Sequence, residues 1–171
     1  MPSMSADNLK NDISNPAKVY LWDVVFANLI GGGNRDHVEL RAQSTVIPGR
    51  SFGEILVPFK GTAGIKFPGK LTMTHVWPAV FIEGTDQEVF DAIYGWKQAI
   101  QNARLGTGGP DSTIKSDIYL RLLDQQGSII NKFKLVGCYP QAVDDVPLAY
   151  EDEANVMYNV TFSYDYWEID E

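Results

Sequence analysis

The sequence is poor in the residues from which catalytic and metal sites are usually built. It contains one cysteine and two histidines among 171 residues. A single cysteine, Cys138, excludes an internal disulfide, and its apolar surroundings are typical of a small core side chain. The histidines, His37 and His75, lack the spacing of zinc-binding motifs, and no Ser-His-Asp or Cys-His arrangement is indicated. We therefore expect no metal, no cofactor and no enzymatic activity.

Positive charge and long apolar runs are scarce as well. The 14 Lys and Arg residues are outnumbered by 22 Asp and Glu residues, which gives a net charge of −8. Surfaces that grip nucleic acid must neutralise phosphates with cationic side chains, so tight binding of DNA or RNA is not expected. No apolar run is long enough to span a bilayer, and no membrane partner is expected.

The sequence does contain enough apolar residues for a core. Hydrophobic residues make up 44% of the chain and charged residues 21%, which is the balance of a globular protein. Residues 1–16 are polar, which predicts a flexible N-terminal arm. Residues 17–171 have the length of a single domain, and no internal repeat divides them.

Two further features have the composition of ligand sites. The glycine clusters at 31–33 and 106–109 do not lead into a Lys-Ser/Thr pair or a helix N-terminus, so they predict turns and not phosphate loops. Five carboxylates between Asp144 and Glu153 lack the alternating pattern of a calcium-binding loop. A solvated acidic loop is the preferred interpretation.

One segment predicts a helix, from Thr85 to about Arg104. Thr85 and Glu88 have the spacing of a capping box, and Gly106 is placed to end the helix. Apolar residues recur at helical spacing, which predicts that one face of this helix covers a sheet. These residues are Val89, Phe90, Ala92, Ile93, Trp96 and Ile100.

The other apolar segments predict strands. Alternation is clearest from Val38 to Thr45, and the closing strand is expected to place Tyr158 and Tyr166 on one face. Further strands are predicted at 19–27, 71–83, 114–122 and 129–138. The sum is a mainly β (α+β) fold, a small barrel or sandwich with one packed helix. The expected core contains Trp22, Trp77, Phe90, Trp96, Tyr158 and Phe162.

The segment from Arg50 to Gly69 is apolar but interrupted by prolines and glycines, which predicts a long hairpin-like excursion. A loop of this kind either folds back on the core or is covered by another chain, and the second interpretation is preferred. The apolar residues expected to meet that chain are Phe52, Ile55, Val57, Phe59, Ile65 and Phe67.

Several short motifs occur in a characteristic order. Ala42–Gly49 predicts a strand that ends in a proline turn, Ile55–Phe59 reads Ile-Leu-Val-Pro-Phe, and Gly69–Met73 precedes the helix. A Tyr139-Pro140 turn comes before the acidic loop, and Val160–Glu168 closes the chain with alternating aromatic and polar residues. In this order the motifs resemble the tail tube proteins of contractile-tailed bacteriophages, which are similar in fold to the type VI secretion tube protein.

That resemblance implies a structural subunit of the virion tail, assembled in the host cytoplasm. Hexameric rings of a β-barrel would stack into a hollow tube, and viral DNA would pass through the tube without specific binding. The apolar residues from Phe52 to Phe67 would form the contacts between rings. The implied partners are further copies of the chain and the tail sheath, baseplate and tail terminator proteins. The residues implied to face the channel are Glu39, Arg41, Gln43 and Thr45.

Three alternatives to the main tube subunit remain open at this point. A baseplate protein that initiates the tube, or the tube protein of a contractile secretion system, would have the same fold. A monomeric β-barrel that binds a small ligand would instead need a cavity lined by Trp22, Trp77 and Tyr158. Aromatic side chains of this kind more often fill a core than line a void.

Overall fold

The computed structural model describes residues 5–102 and 104–171. Of the predicted arm, residues 1–4 therefore lie outside the described residues, as does residue 103 of the predicted helix. The helices are α1 (Ala6–Asp12), α2 (Arg35–Leu40), α3 (Glu88–Ile100) and α4 (Asp111–Ile114). The strands are β1 (Trp22–Phe26), β2 (Ala42–Thr45), β3 (Ser51–Val57), β4 (Ile65–Thr72), β5 (Val76–Ile82), β6 (Ser116–Leu123), β7 (Ile129–Val143), β8 (Met157–Ser163) and β9 (Tyr166–Ile169).

Seven strands form one antiparallel sheet in which the long strand β7 belongs to both halves. Its first part pairs with β6 and β9, and β1 extends that half beyond β6. Its second part pairs with β8, and β5 and β2 follow in order. Gly137 lies between the two parts with φ +69°, and a Cβ there would come within 2.2 Å of the Asp165 carboxylate. The positive φ favours glycine at this position, because other residues rarely adopt it. The predicted mainly β fold is confirmed.

The core lies between the sheet and α3. Trp77, Trp96 and Phe162 are fully buried, and the Phe162 ring lies 5.7 Å from that of Trp77 and 6.1 Å from that of Trp96. Trp22 and Tyr158 are partly buried against this core. Phe90 was also expected in the core, but it lies at the margin of the apolar face of α3 and is 42% exposed.

The glycine cluster at 31–33 forms a turn that lies directly against α3. A Cβ on Gly31 would stand 1.8 Å from the carbonyl oxygen of Ala92, and one on Gly95 would stand 2.4 Å from that of Gly31. Two glycines thus allow the loop after β1 and the helix to approach backbone to backbone. The glycine cluster therefore serves the packing of the loop after β1 against α3.

The predicted helix is present but shorter than expected at both ends. It begins at Glu88 and not at Thr85, and it ends at Ile100, six residues before Gly106. The predicted capping box was wrong, because Gln87 takes the N-cap position with φ +57° and neither it nor Thr85 makes a capping side-chain hydrogen bond in the described chain. The cap is instead the carboxylate of Glu83, the residue after β5, which accepts the Phe90 N–H at 2.7 Å.

The predicted strand from Val38 to Thr45 is a helix followed by a short strand. Asn34 caps α2 by accepting a hydrogen bond from the Asp36 N–H at 3.1 Å, and Val38 is buried while Leu40 is 80% exposed. Apparent alternation over so few residues does not distinguish a strand from one and a half helical turns. Only Ala42–Thr45 pairs with a neighbouring strand, β5.

Two other predicted strands are divided by local turns. The segment 71–83 breaks at His75, which has φ +57°, so β4 and β5 are separate strands. The closing segment breaks after Tyr164, and this reverses the faces that follow. Tyr166 is consequently exposed and Trp167 is buried, contrary to the single face predicted for Tyr158 and Tyr166.

The N-terminal arm contains α1, whose residues are all exposed. Ser5 accepts a hydrogen bond from the Asn8 N–H at 3.3 Å, which caps the helix. Leu9 and Ile13 lie on its surface without being buried by the rest of the chain. Across residues 5–102 and 104–171, no helix has the length and apolar character needed to cross a membrane.

Candidate assembly surfaces

The β3–β4 hairpin is the most unusual surface of the molecule. Its strands pair with each other, with Ile55 opposite Phe67 and Val57 opposite Ile65, and they form a sheet separate from the seven-stranded one. All seven residues of β3 are exposed. The hairpin therefore projects from the domain with both of its faces open to solvent.

Apolar side chains dominate this hairpin although nothing in the described chain covers them. Directly paired residues of an antiparallel ladder share a face, so Ile55, Val57, Ile65 and Phe67 lie together. The structure brings together most of the residues that were predicted to contact another chain. Phe52, Ile55, Val57, Phe59, Ile65 and Phe67 are between 45% and 61% exposed.

Two tryptophans of the core hold the root of the hairpin. The indole N–H of Trp77 donates to the Val46 carbonyl at 2.8 Å, and that of Trp167 donates to the Gly49 carbonyl at 3.2 Å. The Arg50 guanidinium lies over the Trp167 ring, 4.0 Å from its centroid. Buried donors of this kind fix the chain that they bond, so the hairpin leaves the domain in a defined direction.

A groove on another part of the surface combines aromatic walls with an acidic rim. It lies between α3 and the ends of β7 and β8 and has a volume of about 630 Å³. Phe90 stacks on Tyr94 at 5.3 Å and lies 6.1 Å from Tyr158. Asp144 and Asp145, the first two residues of the acidic loop, complete the lining, together with Ile93, Lys97, Tyr139, Pro140, Val143 and Val146.

The N-terminus of α3 is held by an ion-pair cluster centred on Arg41. Its guanidinium makes a two-bond contact with Asp86, at 2.8 and 2.6 Å, and a third bond with Glu83 at 3.2 Å. The Glu83 side chain is 1% exposed, and its carboxylate accepts the Phe90 N–H at 2.7 Å and the Gly84 N–H at 2.9 Å. His37 of α2 contacts Glu88 at 2.5 Å. The cluster ties α2 and β5 to the first turn of α3.

Electrostatic effects in this region follow from these contacts. The hydrogen bond from Arg41 lowers the pKa of Asp86 from 3.8 to about 2. Burial raises the pKa of Glu39, whose carboxylate accepts the Phe26 N–H at 2.7 Å. Sequence reasoning missed this cluster because its members are far apart in the chain. The one signal available was a charged residue, Glu83, at the end of an apolar strand.

Comparison with known proteins gives a consistent family. The family model described as "Phage tail tube protein" matches residues 16–170, nearly the whole chain. The chain belongs to the phage tail tube protein family. The tail tube protein of Serratia phage KSP90 is 29% identical over 111 residues. That match covers 64% of this chain and 61% of the Serratia phage protein, so the chain spans about three fifths of the relative's length.

Solved structures of contractile injection systems share the fold of this tail tube family member. A chain from the sheath/tube terminator of the extracellular system PVC aligns with a TM-score of 0.67 and 17% identity, over 91% of this chain and 97% of that one. A chain from the PVC sheath-tube complex aligns with a TM-score of 0.63 and 16% identity, over 98% of this chain and 99% of that one. A chain from the tube-terminating cap of the anti-feeding prophage aligns with a TM-score of 0.64 and 17% identity, over 91% of each chain.

The four polar residues expected to face a channel do not share one strand of this tail tube protein. Glu39 and Arg41 turn toward Phe26 and toward the α3 cluster, because the segment that carries them is helical. Thr45 donates to the Pro78 carbonyl at 2.8 Å, and Gln43 is exposed. Glu39 and Arg41 thus have structural partners within the chain, and Gln43 and Thr45 lie on the edge strand β2.

The candidate reactive groups of this tail tube protein also have structural surroundings. Cys138 is buried, its thiol donates to the Leu135 carbonyl at 3.3 Å, and burial raises its pKa. His75 contacts the Tyr164 carbonyl at 3.2 Å. In the described ranges, no three His, Cys, Asp or Glu side chains are placed to hold a metal ion.

A barrel that binds a small ligand would need a cavity lined by Trp22, Trp77 and Tyr158, and these three side chains lie in different surroundings. Trp77 fills the core, Trp22 is partly buried against it, and Tyr158 lines the groove beside α3. The three aromatic residues therefore do not line a common void.

Proposed function

We propose that the chain is the ring-forming subunit of a phage tail tube. Six copies form a ring, rings stack into a hollow tube, and viral DNA passes through the tube during ejection. The tube is part of the virion tail, is assembled in the host cytoplasm, and contacts the sheath, baseplate and terminator proteins. Family membership supports the tube, and the exposed hairpin supports association between subunits.

The β3–β4 hairpin is the observation that carries this proposal. A soluble monomer rarely exposes a contiguous apolar patch without a use for it. Covering apolar surface gains roughly 25 cal/mol per Å², so six half-exposed apolar side chains are a strong driving force for association. The tryptophan bonds at its root keep the hairpin directed away from its own domain, where another subunit can cover it.

The negative charge of the chain fits a conduit for DNA. The net charge of −8 is repeated in every subunit of a ring. A negatively charged surface repels phosphates and has few Lys and Arg side chains to bind them, so DNA moves past it without being retained. The role is mechanical, and it requires no catalytic group.

Electron microscopy of the purified chain tests the proposal. Wild-type protein at rising concentration is expected to form rings or tubes with a stain-filled centre. The double variant Ile55→Ser/Phe67→Ser removes apolar contacts from the hairpin and should remain dispersed. The matched control Ile129→Ser/Ile130→Ser removes two equally exposed residues at the start of β7 and should assemble as the wild type does.

Two results would contradict the proposal. One is a wild-type chain that stays monomeric by light scattering at every concentration, even with preformed tube ends added. The other is a hairpin variant that assembles at the same concentration as the control.

A further inference from the structure

Charge is distributed unevenly between the hairpin and the acidic loop. Residues 50–72 carry four cations, Arg50, Lys60, Lys66 and Lys70, and one carboxylate, Glu54, for a net charge of +3. Residues 144–153 carry five carboxylates and no cation, for a net charge of −5. The hairpin thus has the opposite sign to the chain as a whole. Surfaces of opposite charge on one chain are complementary between copies of it.

The tip of the hairpin presents an aromatic ring beside a cation. Phe59 is 52% exposed, and the Lys60 ammonium lies 5.3 Å from the centroid of its ring. Thr62 bonds the Phe59 carbonyl through both its backbone N–H, at 2.9 Å, and its hydroxyl, at 2.6 Å. The tip is therefore a hydrogen-bonded turn that leaves the ring about half exposed.

The groove beside α3 has the complementary features. Its walls are aromatic, from Phe90, Tyr94, Tyr139 and Tyr158, and its volume of about 630 Å³ is ample for a phenylalanine ring and the neighbouring residues. Asp144 and Asp145 stand where β7 runs into the acidic loop, and these two carboxylates outnumber Lys97, the one cation of the lining. An aromatic pocket with an acidic rim accommodates an aromatic residue followed by a lysine.

We propose that the hairpin tip of one copy docks in the α3/β7–β8 groove of a second copy. Phe59 enters between the aromatic walls, and Lys60 pairs with Asp144 and Asp145. The inference rests on the proposed function and specifies which surface the hairpin meets. Because the hairpin and the groove are different surfaces, the contact is head-to-tail, and each copy can use its hairpin on one neighbour and its groove on another. A growing tube needs a contact of that type.

Cysteine cross-linking in the full chain tests this contact directly. The variant Lys60→Cys/Asp145→Cys, oxidised after assembly, should give a ladder of covalent oligomers on a non-reducing gel. The control Lys60→Cys/Gln125→Cys places the second thiol in the exposed β6–β7 turn, at the other end of the long strand β7, and should give no ladder. The native Cys138 is buried and contributes little background.

Charge exchange supplies a second readout. Lys60→Glu should raise the concentration required for assembly about tenfold, which corresponds to the loss of one well-placed contact. Asp144→Lys/Asp145→Lys in the same chain should restore assembly, whereas the same lysines with the wild-type Lys60 should impair it. Lys18→Glu, a reversal outside both surfaces, should leave assembly unchanged.

The outcomes separate the docking contact from the proposed function. A ladder together with rescue supports the contact. If the wild type forms tubes but the Lys60→Cys/Asp145→Cys variant gives no ladder, the docking is overturned and the proposed tube is not. The same holds if the thiol of Asp145→Cys still reacts with maleimide in assembled tubes, since the groove is then not covered by a hairpin. A wild-type chain that never self-associates and gives no ladder overturns both.

Discussion

The helix α3 and the β3–β4 hairpin are both rich in apolar residues, but they use them differently. In α3 the stripe Val89, Ala92, Ile93 and Trp96 is buried in its own chain. In the hairpin the apolar residues stay about half exposed. One apolar segment therefore stabilises the fold, and the other is available to a second chain. Substitutions in the two regions should therefore separate folding from assembly.

The largest effect on folding is expected from Trp96→Ala. The side chain is fully buried and its indole N–H donates to the Ile114 carbonyl at 2.6 Å, so the substitution leaves both a cavity and an unpaired acceptor. We expect the free energy of unfolding to fall by about 3–5 kcal/mol. Urea denaturation followed by circular dichroism measures it. A loss below about 1 kcal/mol would show that α3 is not part of the core.

A smaller loss is expected from Glu83→Gln, which weakens the cap of α3. The buried carboxylate accepts backbone N–H groups and pairs with Arg41, and the amide replaces these charge-assisted bonds with weaker ones. We expect a loss of about 2 kcal/mol in the same denaturation assay. Thr85→Ala is the matched control and should change stability by less than about 0.5 kcal/mol. A larger loss of stability for Thr85→Ala than for Glu83→Gln would support the capping box predicted from the sequence.

The Asp86–Arg41 pair should appear as a dependence of stability on acid. The pKa of Asp86 is depressed in the folded chain from 3.8 to about 2, so the pair contributes stability above pH 4. That contribution is lost as the pH falls from about 4 through 2. The urea midpoint of Asp86→Asn should therefore differ from that of the wild type at pH 6 and converge with it near pH 2. A constant difference across this range would argue against the pair.

The smallest effect on folding is expected in the hairpin. Ile55→Ser alters an exposed side chain outside the seven-stranded sheet, so the free energy of unfolding of the dispersed chain should change by less than about 0.5 kcal/mol. The same variant should assemble poorly when examined by electron microscopy. A hairpin variant that unfolds the domain would remove the distinction between the two regions.

Patterns within one segment were read correctly from the sequence. The helical stripe from Val89 to Ile100 located α3 and its buried face, because the 3.6-residue period is a local property. The apolar but interrupted segment from Arg50 to Gly69 indicated a hairpin, and its apolar side chains are about half exposed in the part of the chain that the structure describes. The order of motifs from about Val19 to Glu168 indicated the family, which the family model then showed over residues 16–170.

Features that depend on distant residues were not predictable in the same way. The segment Val38–Thr45, expected to be a strand, begins as the last turn of α2, because Asn34 caps this helix and the helix packs on β1 and α3 with Val38 buried. The groove beside α3 is likewise built from separate elements, since its lining residues come from 89–101, 139–146 and 158–160.

The mainly β fold, the long helix α3 and the apolar hairpin could thus be read from the sequence, because periodicity and composition are properties of neighbouring residues. Three other features depend on the folded chain: Glu83 caps α3, Arg41 joins α2 and β5 to the helix, and Phe90 lies at a groove. Those outcomes depend on which side chains meet in space, and a buried carboxylate 3.2 Å from a guanidinium outweighs the local preference of a Thr-x-x-Glu motif.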